Sequence, residues 1–127
     1  MRLTLAIAAS ALAIACMAGA HAQEMPAGIS SQYLACHGRA NGNTVQEGIC
    51  AQTEIAAQDA RLNKAYQQVM RQLASKPQER LALRDAERSW LKRRDYECKV
   101  DAQTIDSGCL VTKTAARANE LESQVRF

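Results

Sequence analysis

The sequence predicts a small all-α protein: a three-helix bundle with an extended N-terminal arm, stabilised by disulfides. Apolar residues recur at steps of three, four and seven in three successive segments, and no window alternates convincingly with a period of two. Five cysteines are present, and four remain once an apolar N-terminal segment is set aside. Four cysteines in a small exported chain are typical of two disulfides.

Residues 1–22 have the pattern of a secretory signal peptide. Arg2 supplies a positive charge, an apolar run follows, and an Ala-His-Ala cleavage pattern ends at Ala22. We expect cleavage after Ala22, which gives a periplasmic or secreted protein that is not an integral membrane protein once processed. Two alternatives stay open, lipidation at Cys16 and a retained membrane anchor, and the good cleavage site disfavours both.

The predicted mature chain divides into an arm, residues 23–43, and a helical domain, residues 44–127. Proline, glycine and serine are frequent in the arm, which ends in a turn signal, Asn-Gly-Asn. A capping box with Thr44 as N-cap and Glu47 three residues later predicts the start of the first helix. Its apolar stripe contains Ile55, Leu62, Tyr66, Val69 and Leu73.

Pro77 marks the boundary between the first two helices, because proline suits a first helical turn and not an interior. The second helix is predicted to continue to about Lys99, and a polar loop, residues 101–108, follows. The third helix carries apolar residues from Leu110 to Val125 at helical spacing.

Short connections make neighbouring helices antiparallel, so three of the cysteines should lie at one end of the bundle, within reach of the fourth on the arm. Four cysteines allow three pairings, and the sequence does not choose among them. We favour Cys98 with Cys109 across the loop, and Cys36 with Cys50 fastening the arm.

Each predicted helix also has polar residues where its stripe should be apolar. A polar functional site and a buried ion-pair network that fixes helix docking both fit this pattern, and we favour the structural interpretation. The predicted network comprises Asp59, Asn63, Trp90, Arg94, Thr114 and Arg117.

These positions also carry a resemblance to a known family, the LprI-like lysozyme-inhibitor domain of small exported four-cysteine proteins. The matching pattern is Cys50, then Asp59-x-x-Leu62-Asn63-x-x-Tyr66, then Ala86-x-x-x-Trp90-Leu91-x-x-Arg94-Asp95-x-x-Cys98, and finally Cys109, Thr114, Arg117 and Leu121. The chain departs from the family at Glu87, where glutamine is usual, and in a short loop before its last cysteine. The resemblance implies a helical, disulfide-bonded envelope protein with a protein partner, and for some members inhibition of lysozyme.

Residue types that support catalysis or metal binding are scarce. His37 is the only histidine after the predicted leader, and no CxxC, HExxH or glycine-rich phosphate loop is present. A serine nucleophile would need His37 as its base, and no pair of carboxylates is selected by its spacing. We therefore expect no enzyme activity, no metal and no cofactor.

The second helix carries a basic row, in which a cation recurs every four residues: Arg80, Arg84, Arg88 and Lys92. The row could dock on anionic lipid or on an acidic partner protein, or it could be a solvated face balanced by Glu79, Asp85 and Glu87. We favour the solvated face. Nucleic acid is not expected as a partner, because the protein is predicted to be exported and no aromatic residue lies among the cations on the helix face of the row.

Lysozymes are usually basic, so a protein that inhibits lysozyme benefits from an acidic contact surface. A chain with a small positive net charge and a basic helix is not an obvious match, so the inhibitor hypothesis requires acidic residues to cluster at the cysteine end or on the third helix. The candidates are Glu47, Glu54, Asp101, Asp106, Glu120 and Glu122.

Overall fold

Four α-helices make up a computed structural model that describes residues 25–127: α1 (Ser31–Ala40), α2 (Thr44–Gln72), α3 (Pro77–Glu97) and α4 (Ser107–Glu122). No strand occurs among these residues, and one isolated bridge joins Lys99 to Ile105. The predicted all-α class is confirmed. The predicted leader and Cys16 lie outside the described residues.

The helix count differs from the prediction, because the arm contains α1 and is not extended. Ser30 is the N-cap of α1, and its side chain accepts a hydrogen bond from the Tyr33 N–H. Asn41 ends the helix in the left-handed region with φ 48°, and Gly42 follows with φ 80°. The Asn-Gly-Asn turn signal therefore marks the end of a short helix, and Gly38 lies inside that helix.

The predicted N-cap of the next helix is also wrong by one residue. Asn43, not Thr44, has the extended backbone of an N-cap, and its side chain accepts from the Gln46 N–H at 3.0 Å. Asparagine caps a helix at least as well as threonine, so Thr44 becomes the first helical residue. The predicted boundary at Pro77 is confirmed, since Pro77 is the first residue of α3.

α2 and α4 form the centre of the molecule and run in the same direction. Near their C-termini, Leu62 and Ala65 of α2 pack against Ala118 and Leu121 of α4. Near their N-termini, a second buried cluster combines Tyr33 of α1 with Ala51 of α2 and Val111 of α4. Alanines at these contacts let the two helices approach closely, so the core is small and lies almost entirely between them.

α3 is attached much more shallowly and has no buried residue. Leu83 and Trp90 are half-buried against the α2–α4 cluster. A cavity of about 910 Å³ remains where the end of α2, the start of α3 and the C-terminal tail meet. Most of the surface of α3 therefore faces solvent.

Both disulfides lie at one end of the bundle, which we call the cysteine end. Cys36–Cys50 joins α1 to α2, and Cys98–Cys109 joins the end of α3 to the start of α4. This is the pairing favoured above. Within residues 25–127, no helix is both long and apolar enough to cross a bilayer.

Candidate functional site

Arg94 is the centre of the predicted polar network. Its Nη1 donates to Thr114 Oγ1 at 3.2 Å and to Asp59 Oδ1 at 3.4 Å. Its guanidinium also lies 5.3 Å from the ring centroid of Trp90, within the range of a cation–π contact. Arg94 thus connects α3 to both central helices.

Arg117 forms the second half of this network from α4. Its Nε and Nη2 donate to Glu87 Oε2 at 3.0 and 2.8 Å, and its Nη1 donates to Glu120 at 2.8 Å. Burial lowers the pKa of Arg117, but the hydrogen bonds to Glu120 and Glu87 raise it overall, so the guanidinium stays charged. Its guanidinium lies 6.0 Å from the Trp90 ring, which therefore lies against two cations.

Five of the six predicted network residues therefore meet where α3 docks. Asn63 does not join them, because it lies on an exposed face of α2. Glu87, which was expected to balance the basic row, belongs to this network through its ion pair with Arg117.

A second polar network, which was not among the predictions from the sequence, holds the segment before α1. Glu54 is 3% exposed. Its carboxylate accepts from the Ser30 N–H at 2.9 Å, from Ser30 Oγ at 2.6 Å and from Gln58 Nε2 at 2.9 Å. Burial raises the pKa of Glu54, and these hydrogen bonds outweigh it and lower the pKa overall. Glu54 is therefore a structural anchor and not part of a contact surface.

Arg61 extends this second network to α4. It donates to both carboxylate oxygens of Glu122, to Gln58 and to Asn119. Its guanidinium lies so close to Gly28, which has φ 90°, that a Cβ at that position would overlap it. The signal in the sequence was the spacing of Glu54, Gln58 and Arg61 along one face of α2.

A groove of about 1020 Å³ lies at the cysteine end, and we call it the cysteine-end groove. Its floor includes the buried Tyr33, whose ring stacks on His37 with centroids 5.8 Å apart. One wall is the start of α2 with Val45 and Glu47, and the other is the α3–α4 loop with Ile105. The groove is thus built from α1, the start of α2, the α3–α4 loop and the start of α4, with Met25 at its edge.

Carboxylates give this groove a negative character. Burial raises the pKa of Tyr33, and the charges of Glu47, Asp106 and Glu54 raise it further. His37 Nδ1 is buried, lies 3.9 Å from a Glu47 carboxylate oxygen and has no hydrogen-bond partner among the described residues. Of the six acidic residues proposed for partner binding, the two that line this groove are Glu47 and Asp106.

The four residues of the basic row are all exposed. Arg84 contacts its neighbour Asp85 at 3.3 Å, a surface pair that contributes little to stability. Leu81 and Leu91 lie among the cations and are 42% and 38% exposed. The outer face of α3 therefore combines positive charge with exposed aliphatic side chains.

No group of three or more metal-binding side chains occurs in the described part of the chain.

A family model described as "Lysozyme inhibitor LprI" matches residues 36–121, which is more than half of the chain. No curated protein and no solved structure matches the amino-acid sequence of this chain.

Proposed function

Because this chain belongs to the LprI lysozyme inhibitor family, we propose that it is an exported, non-enzymatic protein that binds a lysozyme and inhibits it. The observation that carries the proposal is the family match over residues 36–121, which contains all four disulfide-bonded cysteines. Disulfides persist in oxidising compartments, which supports a periplasmic or secreted location.

The test is a titration of lysozyme with the oxidised protein, residues 23–127, using vertebrate-type and goose-type enzymes on cell-wall substrate. We expect dose-dependent loss of lysis. Protein that has been reduced and alkylated before mixing serves as the control, because the lysozyme then keeps its own disulfides. Unchanged lysis by both enzymes at a large molar excess of the oxidised protein would refute the proposal.

A second candidate function is docking on an anionic lipid surface through the outer face of α3. The basic row supplies cations on successive turns, Leu81 and Leu91 supply apolar contacts, and α3 has no buried residue. Basic side chains near an anionic bilayer contribute about 1 kcal/mol each. This candidate concerns a different face from the cysteine-end groove and is compatible with inhibition.

Vesicle binding tests the second candidate. The full mature protein should bind phosphatidylglycerol vesicles at low salt and dissociate as salt screens the charges. The triple variant R80Q/R84Q/R88Q should bind roughly 100-fold more weakly. A matched control, R39Q/K64Q/R71Q, removes the same charge from exposed positions off α3. Equal losses in both variants would show that net charge alone is responsible and would rule out a specific face.

A further inference from the structure

We propose that the cysteine-end groove is the surface that receives the protein partner, and that it accommodates a cationic side chain of a basic protein between Glu47 and Asp106. This inference rests on the proposed function, which supplies the partner class, and it adds where that partner binds and by what chemistry.

The walls of the groove are fixed before any partner arrives. Cys36–Cys50 fastens the wall formed by the start of α2, and Cys98–Cys109 fastens the wall formed by the α3–α4 loop. Backbone hydrogen bonds close this loop, from the Asp106 N–H to the Cys98 carbonyl at 2.8 Å and from the Val100 N–H to the Thr104 carbonyl at 2.9 Å. A surface that is already ordered loses little conformational entropy on binding.

The Asp101 side chain orders the tip of the same loop. Its Oδ1 accepts hydrogen bonds from the backbone N–H groups of Gln103 and Thr104 at 2.9 and 2.8 Å. Asp101 is therefore occupied as a loop cap, which leaves recognition to the carboxylates that line the groove.

Apolar side chains stand exposed on both walls. Val45 is 69% exposed on one side, and Val100 and Ile105 are 67% and 48% exposed on the other. Rigid, disulfide-fastened segments present these side chains to solvent, where they contribute nothing to the core. Burial of such residues against a partner is the arrangement found at the centre of protein interfaces.

The charges in the groove favour a cation. Glu47 and Asp106 form no ion pair with lysine or arginine in the described residues, and one oxygen of Asp106 accepts from the Cys109 N–H at 3.0 Å. Lys113 also lines the groove, but its ammonium group pairs with Glu97. His37 is the other titratable group with basic character that lines the groove, next to Glu47. Two carboxylates without a fixed countercharge match an arginine or lysine of a basic protein.

The experiment uses the mature, oxidised protein labelled for NMR, titrated with lysozyme and separately with the peptide amide acetyl-Gly-Arg-Gly. We expect both probes to shift the backbone amides of Val45, Glu47, Ile105 and Asp106 more than those of α3. The same peptide with norleucine in place of arginine is the neutral control and should leave these amides unchanged.

The double variant E47Q/D106N removes both charges and keeps an N-cap for α4, since asparagine caps well. We expect it to bind lysozyme about 30-fold more weakly. The matched control E79Q/D85N removes two exposed carboxylates from α3 and should bind normally. E47Q alone changes only a partly exposed side chain and keeps the test decisive if D106N disturbs folding.

The outcomes separate the inference from the proposed function. If E47Q/D106N inhibits lysozyme as well as E79Q/D85N does, the groove is not the binding surface, and the inhibitor function still stands. Peptide binding in the groove that E47Q abolishes, with neither amide shifts on addition of lysozyme nor inhibition, would support the groove and refute lysozyme as the partner. Absence of amide shifts in the groove with both probes would overturn the inference outright.

Discussion

Replacing Trp90 with alanine is expected to lower the free energy of unfolding by about 3 kcal/mol. Trp90 is the largest side chain that α3 packs against the α2–α4 cluster, and no residue of α3 is fully buried. The same substitution removes the ring that lies against the guanidinium groups of Arg94 and Arg117. We infer that the network around Trp90 is what docks α3.

Urea denaturation followed by far-UV circular dichroism measures the stability of W90A, because its only tryptophan is gone. Hydrogen exchange should show faster exchange in α3 than in α2 or α4, since a weakly attached helix opens locally before the core does. Tyr96→Ala, at a position of α3 that is 78% exposed, is the control and should change stability by less than about 0.5 kcal/mol. Equal effects of W90A and Y96A would contradict the docking role.

Replacing Glu54 with glutamine is expected to cost about 2 kcal/mol at neutral pH, because hydrogen bonds to a charged group are lost in a buried setting. Ser30 supplies two of the three donors to this carboxylate and Gln58 the third. A glutamine at position 54 has a single acceptor oxygen and cannot satisfy all three.

The pH dependence of this effect gives a sharper test. The folded-state pKa of Glu54 is lower than its ordinary value. The charged carboxylate therefore contributes to the free energy of unfolding at neutral pH, and this contribution is lost as the pH falls through the lowered pKa. The difference in stability between the protein and E54Q should therefore shrink in acid. Glu79→Gln, at an exposed position on α3, should show a small difference at every pH. If the difference in stability between the protein and E54Q does not change with pH, the shape of the Glu54 side chain, and not its charge, is responsible.

Local patterns in the sequence were sufficient to predict the helical class and the position of Pro77. They also identified polar residues on apolar stripes, and the structure brings Asp59, Arg94 and Thr114 together. Long-range contacts were beyond such patterns. The buried carboxylate of Glu54 is satisfied by two hydrogen bonds from Ser30, which is 24 residues away in sequence. The periodicity of α2 gives no indication of that partner.

The periodicity of apolar residues also did not predict how shallowly α3 packs on the other helices. Leu83 and Trp90 predicted a helix with a buried face, but Glu87 and Arg94 occupy the turns between and beyond them. Ion pairs with Arg117 and Asp59 satisfy these two side chains at the edge of the bundle. A helix whose contact face is half ionic is held at the surface, which is what the structure shows.

Each disulfide joins cysteines that are consecutive in the described chain, with sequence separations of 14 and 11 residues. Loops of about ten residues close within roughly 10–100 ns, so each native pair meets frequently before any tertiary structure forms. Oxidation in order of synthesis would pair the first cysteine with the second and the third with the fourth. In an exported protein, as proposed above, the native disulfides can therefore form in the order in which the cysteines are synthesised.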